Sequence, residues 1–175
     1  SSERAVVGAY YLDNGTPKRG YKTTRPTIDG QDQIPTRYDS LIKVTASRVR
    51  VENIAVRNSE GRGVTFSEHT GGQAAGLYVN NTYDCGIAFI EVDDALIENN
   101  HVMETDRQRP EDGNNWCSSI AIVRSDRAHV RQNLVERSYG EGININYGSS
   151  DAIVGDNRVY GVRARGIYAR SAPNL

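Results

Sequence analysis

The chain has 175 residues and a formal charge of −1, with two Phe and one Trp against ten Tyr and 17 Gly. So few large apolar residues argue against a thick two-layer core, and the lack of a basic excess argues against a nucleic-acid partner. No run of 18 apolar residues is present to form a membrane span. Charge is placed unevenly: residues 1–50 carry nine Lys/Arg against five Asp/Glu, residues 51–119 four against twelve, and residues 120–175 eight against five. An acidic middle between basic flanks reads either as a solvated face or as a place to hold a cation.

Short apolar blocks recur along the chain: "GVTF" from 63, "GIAF" from 86, "SIAI" from 119, "GINI" from 142 and "GIYA" from 166. Their steps are 23, 33, 23 and 24 residues. An octapeptide recurs between them, as "AGLYVNNT" from 75, "ALIENNHV" from 95, "AHVRQNLV" from 128 and "AIVGDNRV" from 152. Both series give a period near 24 with one insertion of about ten residues, placed at about 105–116. Alternating apolar positions within each block predict a strand with one buried face. Val64, Ile87, Ile120, Ile143 and Ile167 then form one inward column, and Phe66, Phe89, Ile122, Ile145 and Ala169 another. Gly, Asn and β-branched residues interrupt every helical window, and the missing leucines exclude a leucine-rich repeat. The expected fold is all-β, a single-stranded parallel β-helix (a solenoid) with coils of about 24 residues. One domain covers residues 1–175, read as a segment of a longer β-helix. Unpaired strand edges at its two ends would permit end-to-end self-association.

The repeat also gives a reason for its asparagines. Asn80, Asn100, Asn133 and Asn157 fall at one place in successive octapeptides. Stacked amides there would form an asparagine ladder, each donating to one neighbouring coil and accepting from the other. That position argues against use of "NNT" at 80–82 as a glycosylation sequon.

The pattern "ALIENNHV…SSIAIVRSDRAHVRQNLVERSYGEGININYGSSDAIVGDNRVYG" resembles the right-handed parallel β-helix proteins of the pectate-lyase type. It is similar in style to the repeats of mannuronan epimerases and of the alginate lyase and chondroitinase B group. The opening "VVGAYYLDNGTPKRG…RPTIDG" is similar to an early coil of such proteins, and the resemblance spans roughly residues 40–170. It implies a right-handed helix, secreted or periplasmic, with an acidic polysaccharide lying on the outward positions of the blocks. Third positions read Thr65, Ala88, Ala121, Asn144 and Tyr168; fifth positions Ser67, Ile90, Val123, Asn146 and Arg170; sixth positions Glu68, Glu91, Arg124, Tyr147 and Ser171.

β-Elimination on a uronic acid requires neutralisation of the carboxylate, a base for the C5 proton and an acid for the leaving oxygen. The candidate catalytic residues are Arg124, Asn146, Tyr147 and Arg170, with Asn144 and Tyr168 on the substrate and His69 beside Glu68 a more distant base. The chain lacks the "DPH" of the epimerases and the paired Lys and Arg of the chondroitinase B group. Asp93 and Asp94 are adjacent and would point opposite ways along a strand, so they read as a turn rather than a hydrolytic carboxylate pair. The expected function is a polysaccharide lyase, ahead of an epimerase or a glycoside hydrolase. The alternative is a non-catalytic carbohydrate-binding, adhesive or structural β-helix.

Three places before each block stand Glu60, Tyr83, Trp116, Tyr139 and Arg163. The three aromatics would form either a platform for sugar rings or a sealed corner of the stack. The insertion offers Asp106, Glu111 and Asp112 with Asn114 and Asn115, oxygen ligands suited to Ca²⁺. With Glu91 the three acids make the candidate metal set, against a simply solvated loop. Cys85 and Cys117 fall one residue apart in register on neighbouring coils, within reach of a disulfide if the protein is secreted, or else a pair of buried thiols.

Overall fold

The computed structural model describes residues 3–36, 38–107 and 117–170. It begins with β1 (Ala5–Gly8), a hairpin of β2 (Tyr10–Asp13) and β3 (Thr16–Arg19), then β4 (Thr27–Asp29) and β5 (Ser40–Val44). Five further turns of chain follow, each contributing three strands. They are β6 (Val49–Glu52), β7 (Ala55–Ser59) and β8 (Arg62–Thr70); β9 (Gln73–Ala75), β10 (Tyr78–Thr82) and β11 (Ile87–Asp93); β12 (Leu96–Glu98), β13 (His101–Met103) and β14 (Ser118–Val123). The last two turns carry β15 (His129–Arg131), β16 (Leu134–Glu136) and β17 (Glu141–Asn146), then β18 (Ile153–Gly155), β19 (Arg158–Tyr160) and β20 (Ile167–Ala169).

The first strands of the coils pair in the order β1-β6-β9-β12-β15-β18, the second as β4-β7-β10-β13-β16-β19 and the third as β5-β8-β11-β14-β17-β20. All these ladders are parallel; only β2 and β3 pair antiparallel. The chain is therefore a parallel β-helix with three sheet faces. Among the described residues it contains no helix long and apolar enough to cross a membrane.

One inward column per face fills the interior. On the first sheet it is Val51, Ala74, Ile97 and Val130; on the second, Val56, Val79, Val102 and Val135, all with no solvent exposure. The third sheet adds Val64, Ile87, Ile120 and Ile143 in matched register, and Phe66 stacks on Phe89 with ring centroids 4.4 Å apart. β-Branched side chains repeat here because each must pack on its own kind one coil away.

The corners explain much of the remaining sequence. Asn53, Gly76, Asn99, Gln132 and Asp156 all have φ between 54° and 59° at the turn from the first sheet to the second. Asn, Asp and Gly tolerate this left-handed conformation best. Each of the first four donates its backbone N–H to a carbonyl of the following coil, as Asn53 does to Ala75 at 3.1 Å.

Asn100, Asn133 and Asn157 stand in one column just beyond these corners. Asn100 Nδ2 donates to Asn133 Oδ1 and Asn133 Nδ2 to Asn157 Oδ1, both at 2.9 Å. The amides also bond backbone groups, Leu77 N to Asn100 Oδ1 at 2.9 Å and Asn133 Nδ2 to Ile97 O at 3.0 Å. Asn80 is not in this column. It lies on β10 opposite Met103 and donates to Glu104 at 3.0 Å, while Leu77 occupies the equivalent place. Strand pairing sets Gln73 against Leu96, so the coil step here is 23 residues, not the 20 of the octapeptide match.

Candidate functional site

The third sheet presents the outward positions of the repeated blocks. In its middle coils these are apolar: Ala88 and Ala121 are buried, and Ile90 and Val123 are half-buried against them. A disulfide joins Cys85 to Cys117 beside this strip, with Cα atoms 5.4 Å apart.

Toward β17 and β20 the face turns polar and opens into a cleft of about 600 Å³, lined by Glu141, Asn144, Asn146, Tyr147, Ala164, Arg165 and Tyr168. Strand register brings them together: Asn144 pairs with Tyr168 across the ladder, and Glu141 pairs with Ser118. Glu141 is 4% exposed, yet its carboxylate is well supplied with donors. Asn144 Nδ2 donates to Oε2, Ser118 Oγ lies 3.5 Å from the same oxygen, and Arg165 Nη1 reaches Oε1 at 3.2 Å. The Arg165 guanidinium lies over the Tyr168 ring, 4.5 Å from its centroid. Asn144 Oδ1 is buried and accepts no hydrogen bond from the protein. Leaving such an acceptor unmet costs about 1–3 kcal/mol.

Four expected residues, Asn144, Asn146, Tyr147 and Tyr168, thus share one cleft. Arg124 precedes Tyr147 by one coil at the same corner and forms an ion pair with Glu91 at 2.7 Å. Arg170 donates its backbone N–H to Ile145 and lines a separate hollow with Ala152, Val154 and Ile167 at the end of the stack. His69 is a correction. It pairs with Val92 across the ladder, is 8% exposed and packs edge-on against Phe66, so it faces the core. Burial lowers its pKa below the ordinary histidine value. Asp93 and Asp94 sit at a corner, where both meet Arg127.

Asp106 occupies the corner between those of Tyr83 and Tyr139: its backbone N–H bonds Asp84, and that of Tyr139 bonds Thr105. Trp116 lies outside the described residues, as do Glu111 and Asp112 of the expected metal set. Of that set, Glu91 lies in the second half of β11 against Arg124, while Asp106 lies buried ahead of β14, its Oδ1 3.4 Å from the Cys117 nitrogen. They therefore stand at opposite ends of the third-sheet strands. The one cluster with metal-ligand spacing among the described residues is Asp84, Cys85 and Cys117, whose two sulfurs are bonded to each other.

Glu141 and Arg165 were not expected. Both immediately precede a block, in the column Arg62, Cys85, Ser118, Glu141, Arg165. Opposite charges one coil apart in that column were the available signal.

A second polar cluster lies on the outer face of the second sheet. Glu136 is 7% exposed and accepts hydrogen bonds from Tyr160 Oη and from His101 Nε2, the latter at 3.2 Å. The Tyr160 bond holds the Glu136 carboxyl below its ordinary pKa, and the carboxylate raises that of the phenol. A phenol made less acidic in this way is a poor proton donor, so this network reads as a structural tie between three coils.

Stacked coils, three parallel sheets and a filled interior define a β-helix protein. A family model described as the right handed beta helix region matches residues 32–175, and the chain belongs to that family. The chain is also similar to full-length tailspike protein 2 (TSP2, ORF211) from Escherichia coli O157:H7 bacteriophage CAB120, with 15% identity and a TM-score of 0.46. That match covers 74% of this chain and 17% of the tailspike chain. No curated protein matches the sequence.

Proposed function

We propose that this is a polysaccharide-active β-helix protein that holds a uronic-acid polymer in the third-sheet cleft and cleaves it by β-elimination. The observation that carries the reading is the convergence of amide, guanidinium and phenol groups from Asn144, Asn146, Arg165, Tyr147 and Tyr168 in one cleft. Amides of Asn144 and Asn146 and the Arg165 guanidinium neutralise the sugar carboxylate, which makes the C5 proton more acidic. One of the phenols of Tyr147 and Tyr168, as phenolate, takes that proton; the electron pair forms the C4–C5 double bond; the other phenol protonates the departing O4. The Cys85–Cys117 disulfide supports a secreted or periplasmic location.

One observation favours the second reading, a binding module without catalysis. Arg124 and Arg165 already hold Glu91 and Glu141, so neither guanidinium is given over wholly to a substrate carboxylate. Incubation with alginate, pectate, chondroitin and a neutral glucan, with and without Ca²⁺, separates the two. An ultraviolet absorbance rise with one uronate polymer, reduced at least ~100-fold in Tyr147→Phe or Tyr168→Phe, is the expected result for a lyase, in the range for loss of an acid–base group. Retention of the polymer without any absorbance rise supports the binding module; neither retention nor a rise sinks both.

A further inference from the structure

A second cleft of about 600 Å³ lies at the corner where the chain passes from the second sheet to the third, lined among others by Asn81, Glu104, Arg137, Tyr139 and Arg163. Its polar groups are fixed before any ligand arrives. Glu104 takes hydrogen bonds from Asn80 at 3.0 Å and from Arg137 at 3.2 Å, and Asn81 Nδ2 donates to Asn58 at 2.8 Å. Tyr139 adds an aromatic ring. Planar carboxylate, guanidinium and amide groups bond the paired hydroxyls of a sugar, while an aromatic face accepts its C–H surface; groups held in advance bind with less ordering cost.

The two clefts are neighbours along the chain on both coils. Tyr139 lines the corner cleft and Glu141 the sheet cleft, with only Gly140 between them; Arg163 and Arg165 flank Ala164 in the same way. A Cβ at Gly140 would collide with Asp106 Oδ2 and the Cys117 carbonyl, so only glycine fits between the two clefts. The path along the solenoid axis is different in character: from Asn144 it crosses Ala121 and Ala88, flanked by Val123 and Ile90, with no hydrogen-bonding side chain among them.

We infer that the corner cleft is a second saccharide subsite, so that a glycan bound in the sheet cleft continues around the girth of the solenoid rather than along its axis. This rests on the reading of the sheet cleft as a saccharide site. Calorimetric titration with oligouronates from disaccharide to hexasaccharide, prepared from alginate, pectate and chondroitin, tests it. The wild type is expected to gain at least ~10-fold in affinity between the shortest and longest oligomer of one series, as a second linked subsite requires. In Tyr139→Ala and Arg163→Ala, checked for native near-ultraviolet circular dichroism, that gain falls below ~3-fold, whereas Ile90→Glu, on the axial path, keeps it. The opposite pattern, with the gain lost in Ile90→Glu and kept in both corner variants, overturns the transverse path. A wild type that binds the disaccharide without gain in length overturns the corner subsite alone. Binding of no oligomer in any series overturns it together with the sheet-cleft reading.

Discussion

At the scale of single residues, the asparagines separate structural from incidental use of one side chain. Asn133 is 2% exposed, and its amide touches the coil on either side. Its Oδ1 accepts from the backbone and side chain of Asn100, and its Nδ2 donates to Ile97 O and Asn157 Oδ1. Replacing it leaves several buried groups unmet at once. Asn133→Ala should therefore destabilise the fold by about 3 kcal/mol, since each unmet buried group costs ~1–3 kcal/mol. Asn80 makes one half-buried hydrogen bond to Glu104, so Asn80→Ala should cost less than ~1 kcal/mol. Urea denaturation of the two variants checks the contrast; equal losses would mean that Asn80 carries weight the hydrogen bonds do not reveal.

At the scale of elements, the uneven charge of the sequence becomes a contact between consecutive coils. Glu91, Asp94, Glu98 and Glu104 on one turn meet Arg124, Arg127, Arg131 and Arg137 on the next, at 2.7, 2.7, 2.8 and 3.2 Å. The acidic middle of the chain is thus partly answered by its basic end. Arg127 holds the Asp94 carboxyl below its ordinary pKa. Burial pushes Glu98 up, but Arg131 and Arg50 together outweigh it and the net direction is down. Groups whose folded-state pKa is depressed add stability above their unfolded values near pH ~4, and that stability is lost as pH falls through the folded values. His69 adds to this, because its buried imidazole stays neutral while the unfolded one protonates near pH ~6.5, so the melting temperature should start to fall below about pH 6.5 and fall further toward pH 2. Thermal melts by circular dichroism across that range measure it, and a melting temperature unchanged at pH 2 would contradict the linkage.

The same scale shows what the sequence could reveal. Third-sheet strands were legible because apolar residues alternate in every block and the register repeats without slippage from Val64 to Ile167. The octapeptide misled at residue 75 because Leu77 stands where later coils have Asn, so an apolar match three residues out of step looked as good. Asn144, Asn146, Tyr147 and Tyr168 were readable as outward positions of blocks. Glu141 and Arg165 were not, since they precede the blocks and their pairing depends on how neighbouring coils align. The inward turn of His69 was hidden too, because β8 runs nine residues, past its four-residue block.

At the scale of the whole molecule, a solenoid repeats its interior and varies its faces. The apolar columns recur on every coil, while the outward positions of the third sheet are apolar on β11 and β14 and polar on β17 and β20. The proposed function rests on one end of one face, where a uronate polymer should bind. Affinity electrophoresis through gels containing the polymer is the most direct measurement, comparing wild type with Asn144→Leu and Arg165→Glu. Mobility of the wild type should fall as alginate, pectate or chondroitin is added, and both variants should lose most of that retardation while keeping native circular dichroism. Retardation that is equal in all three proteins, or absent from the wild type with every polymer, would contradict the account.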